Sequence, residues 1–142
     1  MHSENPKPVV SVLLPIGRTF DRVFSDAILP CATELRMQTA RVSTEFSSAG
    51  ALARVHEQIQ SSELIVADLT GRNPNVLYLV GYAHAAGKKV IFLSQHGEDL
   101  PFCRAEHAII IYAGSTSELA AELRITIQQL NEAASRSGEG NA

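Results

Sequence analysis

The sequence predicts an α/β domain, a single doubly wound, five-stranded parallel sheet in the flavodoxin-like order 2-1-3-4-5. Three observations carry this. The runs VVSVLL (9–14), LIVAD (64–68) and KVIFL (89–93) are short and apolar on both faces, as parallel strands covered by helices on each side must be. Amphipathic stretches alternate with such runs along the chain. The 142 residues, 45% hydrophobic and 19% charged, suit one core.

The first strand is read over 9–16 and the first helix over 19–37. In that helix Phe20, Val23, Phe24, Ala27, Ile28, Cys31 and Leu35 fall on one continuous apolar face, and Pro30 predicts a kink. A second strand follows at 40–45, then a helix over 49–61 whose Arg54, Glu57, Gln58 and Ser61 form a polar outer stripe. The third strand (64–69) leads through a polar turn into a helix over 74–86, and the fourth strand covers 89–93. The connection containing HGEDLPFCRAEH reads as an irregular crossover, of a length that is uncommon unless functional. After a last strand at 108–112, Ser115-Thr-Ser-Glu118 has capping-box spacing and opens a helix to Ala134 on the stripe Leu119, Leu123, Ile127 and Leu130. Residues 9–134 form the domain, flanked by a flexible 1–8 and a tail, 135–142, without an apolar anchor.

Composition also excludes function classes. The net charge of −3 is spread without a basic stripe, which argues against a nucleic-acid partner. No run approaches the roughly 18 apolar residues of a membrane span, and MHSENPKP is polar rather than signal-like; the reading is cytoplasmic, with no membrane partner. Cys31 and Cys103 lie in no metal-ligand or CxxC spacing, so they read as free thiols. No metal site and no cofactor is expected.

Ligands of open parallel sheets bind beyond the carboxyl ends of the strands, where strand order reverses. The loops there contain Pro15, Gly17 and Arg18 after the first strand, 68–75 after the third and Gln95 after the fourth. Each residue has two readings. Asn73 before Pro74 is a standard helix start, an N-cap with proline at the first helical position. Asn75, inside the first turn, has no such structural duty and is a ligand candidate. Asp68 either ties down the following turn or touches ligand. Arg18 is either solvated or, with the amides at the start of the helix at Pro74, receives an anion. His84 lacks an acidic partner or a nucleophile to serve, and reads as a buried or interface histidine. Glu98 and Asp99 are the carboxylates of the long loop.

The stretch LIVADLTGRNPNVLYLVGYAHAAGKKVIFLSQ (64–95), with LLPIGRTFD (13–21) before it, resembles the nucleoside 2-deoxyribosyltransferase-like and TIR-like superfamily of small α/β domains. The likeness spans about Val9 to Tyr112. In its enzymes the glutamate of a Tyr-Glu-Leu-Gly motif acts at the anomeric carbon of an N-glycoside, and here that motif reads Tyr78-Leu79-Val80-Gly81. Leu79 can neither attack nor stabilise an oxocarbenium charge. Ser43 and Cys103 also replace acids of the pattern, whereas Pro15, Asp68, Asn73, Pro74, Asn75, Tyr78 and Gly81 match it. The resemblance implies a domain that binds a nucleoside, nucleotide or NAD-like molecule without catalysis, through Pro15, Gly17, Arg18, Asp68, Asn73, Asn75, Leu79 and Gln95. The alternatives are an active N-glycosidase or deoxyribosyltransferase using Asp68, Glu98 or Asp99, and an assembly module with no ligand. The helix 74–86 is apolar all round, with His84 its one strongly polar residue after Asn75. Such a helix must be covered on its outer side, and a homodimer or higher homo-oligomer through 74–86, with Tyr82 or His84 near the contact, is the expected cover.

Overall fold

The computed structural model describes residues 6–100 and 107–139. Its strands are β1 (Val9–Leu13), β2 (Gln38–Arg41), β3 (Leu64–Asp68), β4 (Val90–Ser94) and β5 (Ala108–Ile111). Its α-helices are α1 (Arg18–Arg22), α2 (Leu29–Glu34), α3 (Ala51–Gln60), α4 (Pro74–Ala85) and α5 (Thr116–Glu139). All strands are parallel and run in the order β2-β1-β3-β4-β5. That is the order the strand and helix alternation predicts.

Two cores separate across the sheet. On one face Val10, Val12, Val66, Ile91, Leu93 and Ile110 meet Val23, Ala27, Ile28 and Cys31 of the first helical stretch and Leu119, Leu123 and Ile127 of α5. On the other, Leu13, Ile65, Ala67 and Phe92 meet Val55 and Ile59 of α3 and Val76, Leu79, Val80 and Ala83 of α4. The period-2 alternation of each strand sends neighbouring residues to opposite cores. Arg54, Glu57, Gln58 and Ser61 are all exposed on α3, as its amphipathic pattern requires.

Three elements differ from the sequence reading. β2 lies at Gln38–Arg41 rather than 40–45; it is an edge strand with exposed ends, so no apolar run marks it. The first helix does not simply bend at Pro30 but passes through a π-helical segment, Val23–Ile28, in which Leu29 N–H bonds to the Phe24 carbonyl five residues back. A wider turn accommodates a proline that has no N–H and crowds the carbonyl four residues earlier. α5 continues to Glu139, five residues past the expected end at Ala134, since each added residue gains a backbone bond once the helix exists. Ser115 Oγ accepts the Glu118 N–H at 3.3 Å at its start. Pro101, Phe102 and Cys103 fall outside the described residues, as do 1–5 and 140–142. No helix among the described residues is long and apolar enough to cross a membrane.

Candidate functional site

Register places the loops after β1 and β3 side by side, because Leu13 pairs with Ala67. This is the switch point of the sheet, and the site is built from it outward.

Asp68 closes β3 with no exposed surface. Its Oδ1 accepts the Thr70 N–H at 2.9 Å and the Thr70 hydroxyl at 2.6 Å, and its Oδ2 accepts the Tyr112 hydroxyl. Thr70 Oγ1 in turn receives the Gln95 N–H at 3.0 Å, so one carboxylate ties together the ends of β3, β4 and β5. Burial pushes the Asp68 carboxyl above its ordinary range; the bonds from Thr70 and Tyr112 pull it back, and the charge of Asp99 adds to the rise. The Tyr112 phenol is pushed upward by burial first and by the Asp68 charge second. Of the two readings for Asp68, turn support is realised in full.

At the start of α4, Asn73 Oδ1 accepts the N–H groups of Asn75 at 2.9 Å and Val76 at 3.2 Å. Asn73 is therefore the N-cap, and amides that an anion would use are already taken. Asn75 has a structural duty after all: its Nδ2 donates to the Thr44 carbonyl at 2.6 Å, joining α4 to the loop after β2. Leu79 lies one turn further along with no exposed surface, inside the core beneath α3 and α4. Tyr112, the partner of Asp68, belongs to the core on the opposite face. Asp68 and Leu79 are thus brought near the same end of the sheet but on different sides of it.

After β1, Pro15 is buried, Ile16 is 67% exposed, and Gly17, at φ 148°, turns the chain into α1. Arg18 is exposed at the first position of α1, and Arg22 follows one turn later. Asp21 pairs instead with Arg41 at 2.7 Å, whose guanidinium also lies 5.7 Å from the Phe24 ring centre. Arg18 and Arg22 have no ion-pair partner among the described residues. The long loop is clasped to the turn after β3: Asp99 Oδ2 accepts the Gly71 N–H at 2.8 Å and the Glu98 carbonyl accepts from the Arg72 guanidinium. Gly71 and Arg72 both have positive φ, 76° and 53°, a conformation that costs a non-glycine residue about 1 kcal/mol and that this clasp holds.

Among the described residues, hollows open at two places at this end. One, about 290 Å³, is lined by Leu14, Ile16 and residues 41–45; the other, about 120 Å³, by Thr19, Arg22, Gln95, Tyr112 and Thr116 among others. Of the residues singled out in the sequence, Gln95 lines a hollow directly. Ser43, singled out as a replaced acid, lines the larger one, whereas Thr19, Arg22, Thr44, Tyr112 and Thr116 were missed. Arg22 was findable, since it stands four residues after Arg18 on the same helix face; Tyr112 reaches Asp68 from 44 residues away, a contact with no local signal.

His84 is exposed rather than buried in the chain. Its ring stacks on His107 at 5.4 Å and meets Phe92 edge-on at 5.8 Å; partial loss of solvent around the ring, then the neighbouring His107, lowers its pKa. Cys31 is a buried free thiol, pushed up to about 11 chiefly by burial. No group of three or more metal-ligating side chains occurs among the described residues.

No family model matches the chain, and no curated protein does. Solved structures do. A CMP N-glycosidase from Clostridium botulinum superposes with a TM-score of 0.64 at 19% identity, covering 82% of this chain and 98% of that one. A 2-deoxyribosyltransferase from Leishmania mexicana gives a TM-score of 0.54 at 15% identity, covering 64% of this chain and 66% of that one, just under two thirds of its length. At these identities the likeness is one of fold.

Proposed function

We propose that this chain is a cytosolic, non-catalytic domain that binds a nucleoside, nucleotide or NAD-like molecule in the crevice at the carboxyl ends of β1, β3 and β4. The fold shared with a nucleotide N-glycosidase and a deoxyribosyltransferase supports the ligand class. The observation that carries the absence of chemistry is Leu79. It stands where the resemblance calls for the attacking glutamate, and it has no exposed surface. Two of the three candidate substitutes are engaged: both Asp68 oxygens accept hydrogen bonds inside the protein, and Asp99 Oδ2 holds the Gly71 amide; Glu98 is exposed and gives only its backbone carbonyl to Arg72. Attack on a sugar carbon demands a free carboxylate within about 3 Å of it.

Thermal-shift measurement against nucleosides, nucleotides and NAD tests the reading. At least one should raise the melting temperature. A panel with no stabilising member would leave an assembly module as the better account, and release of free base abolished by Asp68→Asn would favour the enzyme.

A homodimer through α4 is the second part of the proposal. Its outward side presents Tyr78, 51% exposed, with Gly81 and Ala85, a stripe without charge. Tyr82 is less available than Tyr78, because it stacks on His56 at 3.9 Å and accepts from Gln60 at 2.5 Å. Tyr78→Glu should therefore split the dimer and leave the fold intact. Light scattering that gives a monomer mass for the wild-type protein at micromolar concentration would refute the dimer.

A further inference from the structure

The end of the sheet opposite the crevice carries a larger hollow. It measures about 590 Å³, within the range of roughly 300–1,000 Å³ typical of small-molecule sites and about twice the larger hollow at the carboxyl ends. Its formation follows from the chain: Leu130 is the last apolar residue of the α5 stripe, and the helix then overhangs the amino ends of the strands with residues 131–136 exposed. Leu35, Met37, Leu64 and Leu130 give the hollow an apolar side. Lys88 and Lys89 line it too, and they also line an adjoining hollow of about 330 Å³ with His84 and His107.

Lys88 is the informative residue. A cation just past a helix C-terminus is favoured by the helix dipole, and Lys89, which is exposed, needs no other account. Lys88 is different because it is half-buried and its ammonium is fixed, donating to the Ser62 carbonyl at 2.9 Å. That carbonyl belongs to a rigid residue: Ser62 is buried, with its hydroxyl bonded to the Gln58 carbonyl and to Ser11. The Lys88 backbone is held as well, by the Ala83 carbonyl at 3.0 Å. An ammonium has three donors, yet no carboxylate pairs with this one among the described residues. Among the described residues the chain thus orients a half-buried cation beside a hollow with an apolar side and pairs it with no carboxylate, Glu63 lining the hollow without an ion pair to it.

We propose that this hollow is a second ligand site, taking a small amphiphilic anion whose carboxylate or phosphate head binds Lys88 and whose apolar body lies on Leu35, Met37, Leu64 and Leu130. The site is separate from the crevice and does not depend on a nucleotide binding there.

Calorimetry and amide NMR with octanoate, octyl phosphate, octanol and inorganic phosphate test it on the full chain. Octanoate or octyl phosphate should bind saturably, shift the amides of Ser62, Lys88, Leu130 and Asn131, and outcompete both octanol and phosphate; which head binds tighter identifies the source of the anion. Lys88→Met keeps the aliphatic stem and should weaken binding about tenfold or more, the loss of one charge-assisted bond, with Lys88→Arg restoring part of it. Unchanged affinity in Lys88→Met would overturn the proposal. So would shifts confined to 69–75, octanol binding as tightly as octanoate, or no saturable binding of either anion by the wild-type protein.

Discussion

At the carboxyl ends of the strands Asp68, Asn73, Asn75 and Asp99 all bond to the chain itself, whereas at the amino ends Lys88 rests on a single carbonyl beside an open hollow. The difference teaches how one sheet can carry two kinds of surface. Polar groups already bonded to their neighbours fix loop shape, and a fixed loop can recognise a ligand by contour and backbone. A polar group left incompletely paired in a partly dry place is the one that calls for a partner. The proposed recognition without turnover draws on the first kind of surface, and the proposed second site on the other.

The largest effect is expected from Leu79→Glu. If Leu79 is sealed in the α3/α4 core, an unpaired carboxylate there should cost about 4 kcal/mol in urea unfolding. A loss below about 1 kcal/mol would mean that the new side chain escapes into the crevice, and the division between core and site at that residue would be wrong.

Next is Asp68→Ala, which leaves three donors without their acceptor and should cost about 3 kcal/mol; Asp68→Asn, keeping an oxygen for Thr70, should cost about 1 kcal/mol. The pair also sharpens the comparison through pH. The folded carboxyl holds its proton to higher pH than the unfolded one, whose ordinary value is 3.8. Stability associated with the protonated form is complete below 3.8 and is lost as pH rises through the raised folded value. The wild-type protein should lose stability relative to Asp68→Asn across that window. A difference that stays flat there would show that the hydrogen bonds cancel the effect of burial, and one that moves in favour of the wild-type protein that they outweigh it.

The smallest effect belongs to Asn73→Ala, expected to cost about 1 kcal/mol as the loss of an N-cap. If the same variant strengthened phosphate binding at the start of α4, as NMR shifts at Asn75 and Val76 would report, the freed amides would constitute an anion site that the cap normally closes.

Much of this architecture was legible in the sequence, for identifiable reasons. β1, β3 and β4 are central strands buried on both faces, so composition alone marks them. β2 was displaced in the reading because an edge strand of sequence QTAR has no apolar signature. The N-cap role of Asn73 was legible because capping is local. The duty of Asn75 was not, since its partner Thr44 lies 31 residues away. The same holds for Asp68 and Tyr112: the local turn to Thr70 could be read, while the link to β5 needed the fold. The expectation for Leu79 came from a motif, and its burial in the core is a fact that the motif could not contain.

The central claim is recognition without turnover, and one measurement addresses it most directly. Samples of wild-type protein titrated calorimetrically with CMP, deoxyadenosine and NAD would be held at working temperature and then separated by chromatography. Saturable binding of at least one ligand, recovered intact with no free base above the protein-free control, is the expected result. Free base formed in many-fold excess over protein, and lost in Asp68→Asn, would contradict it.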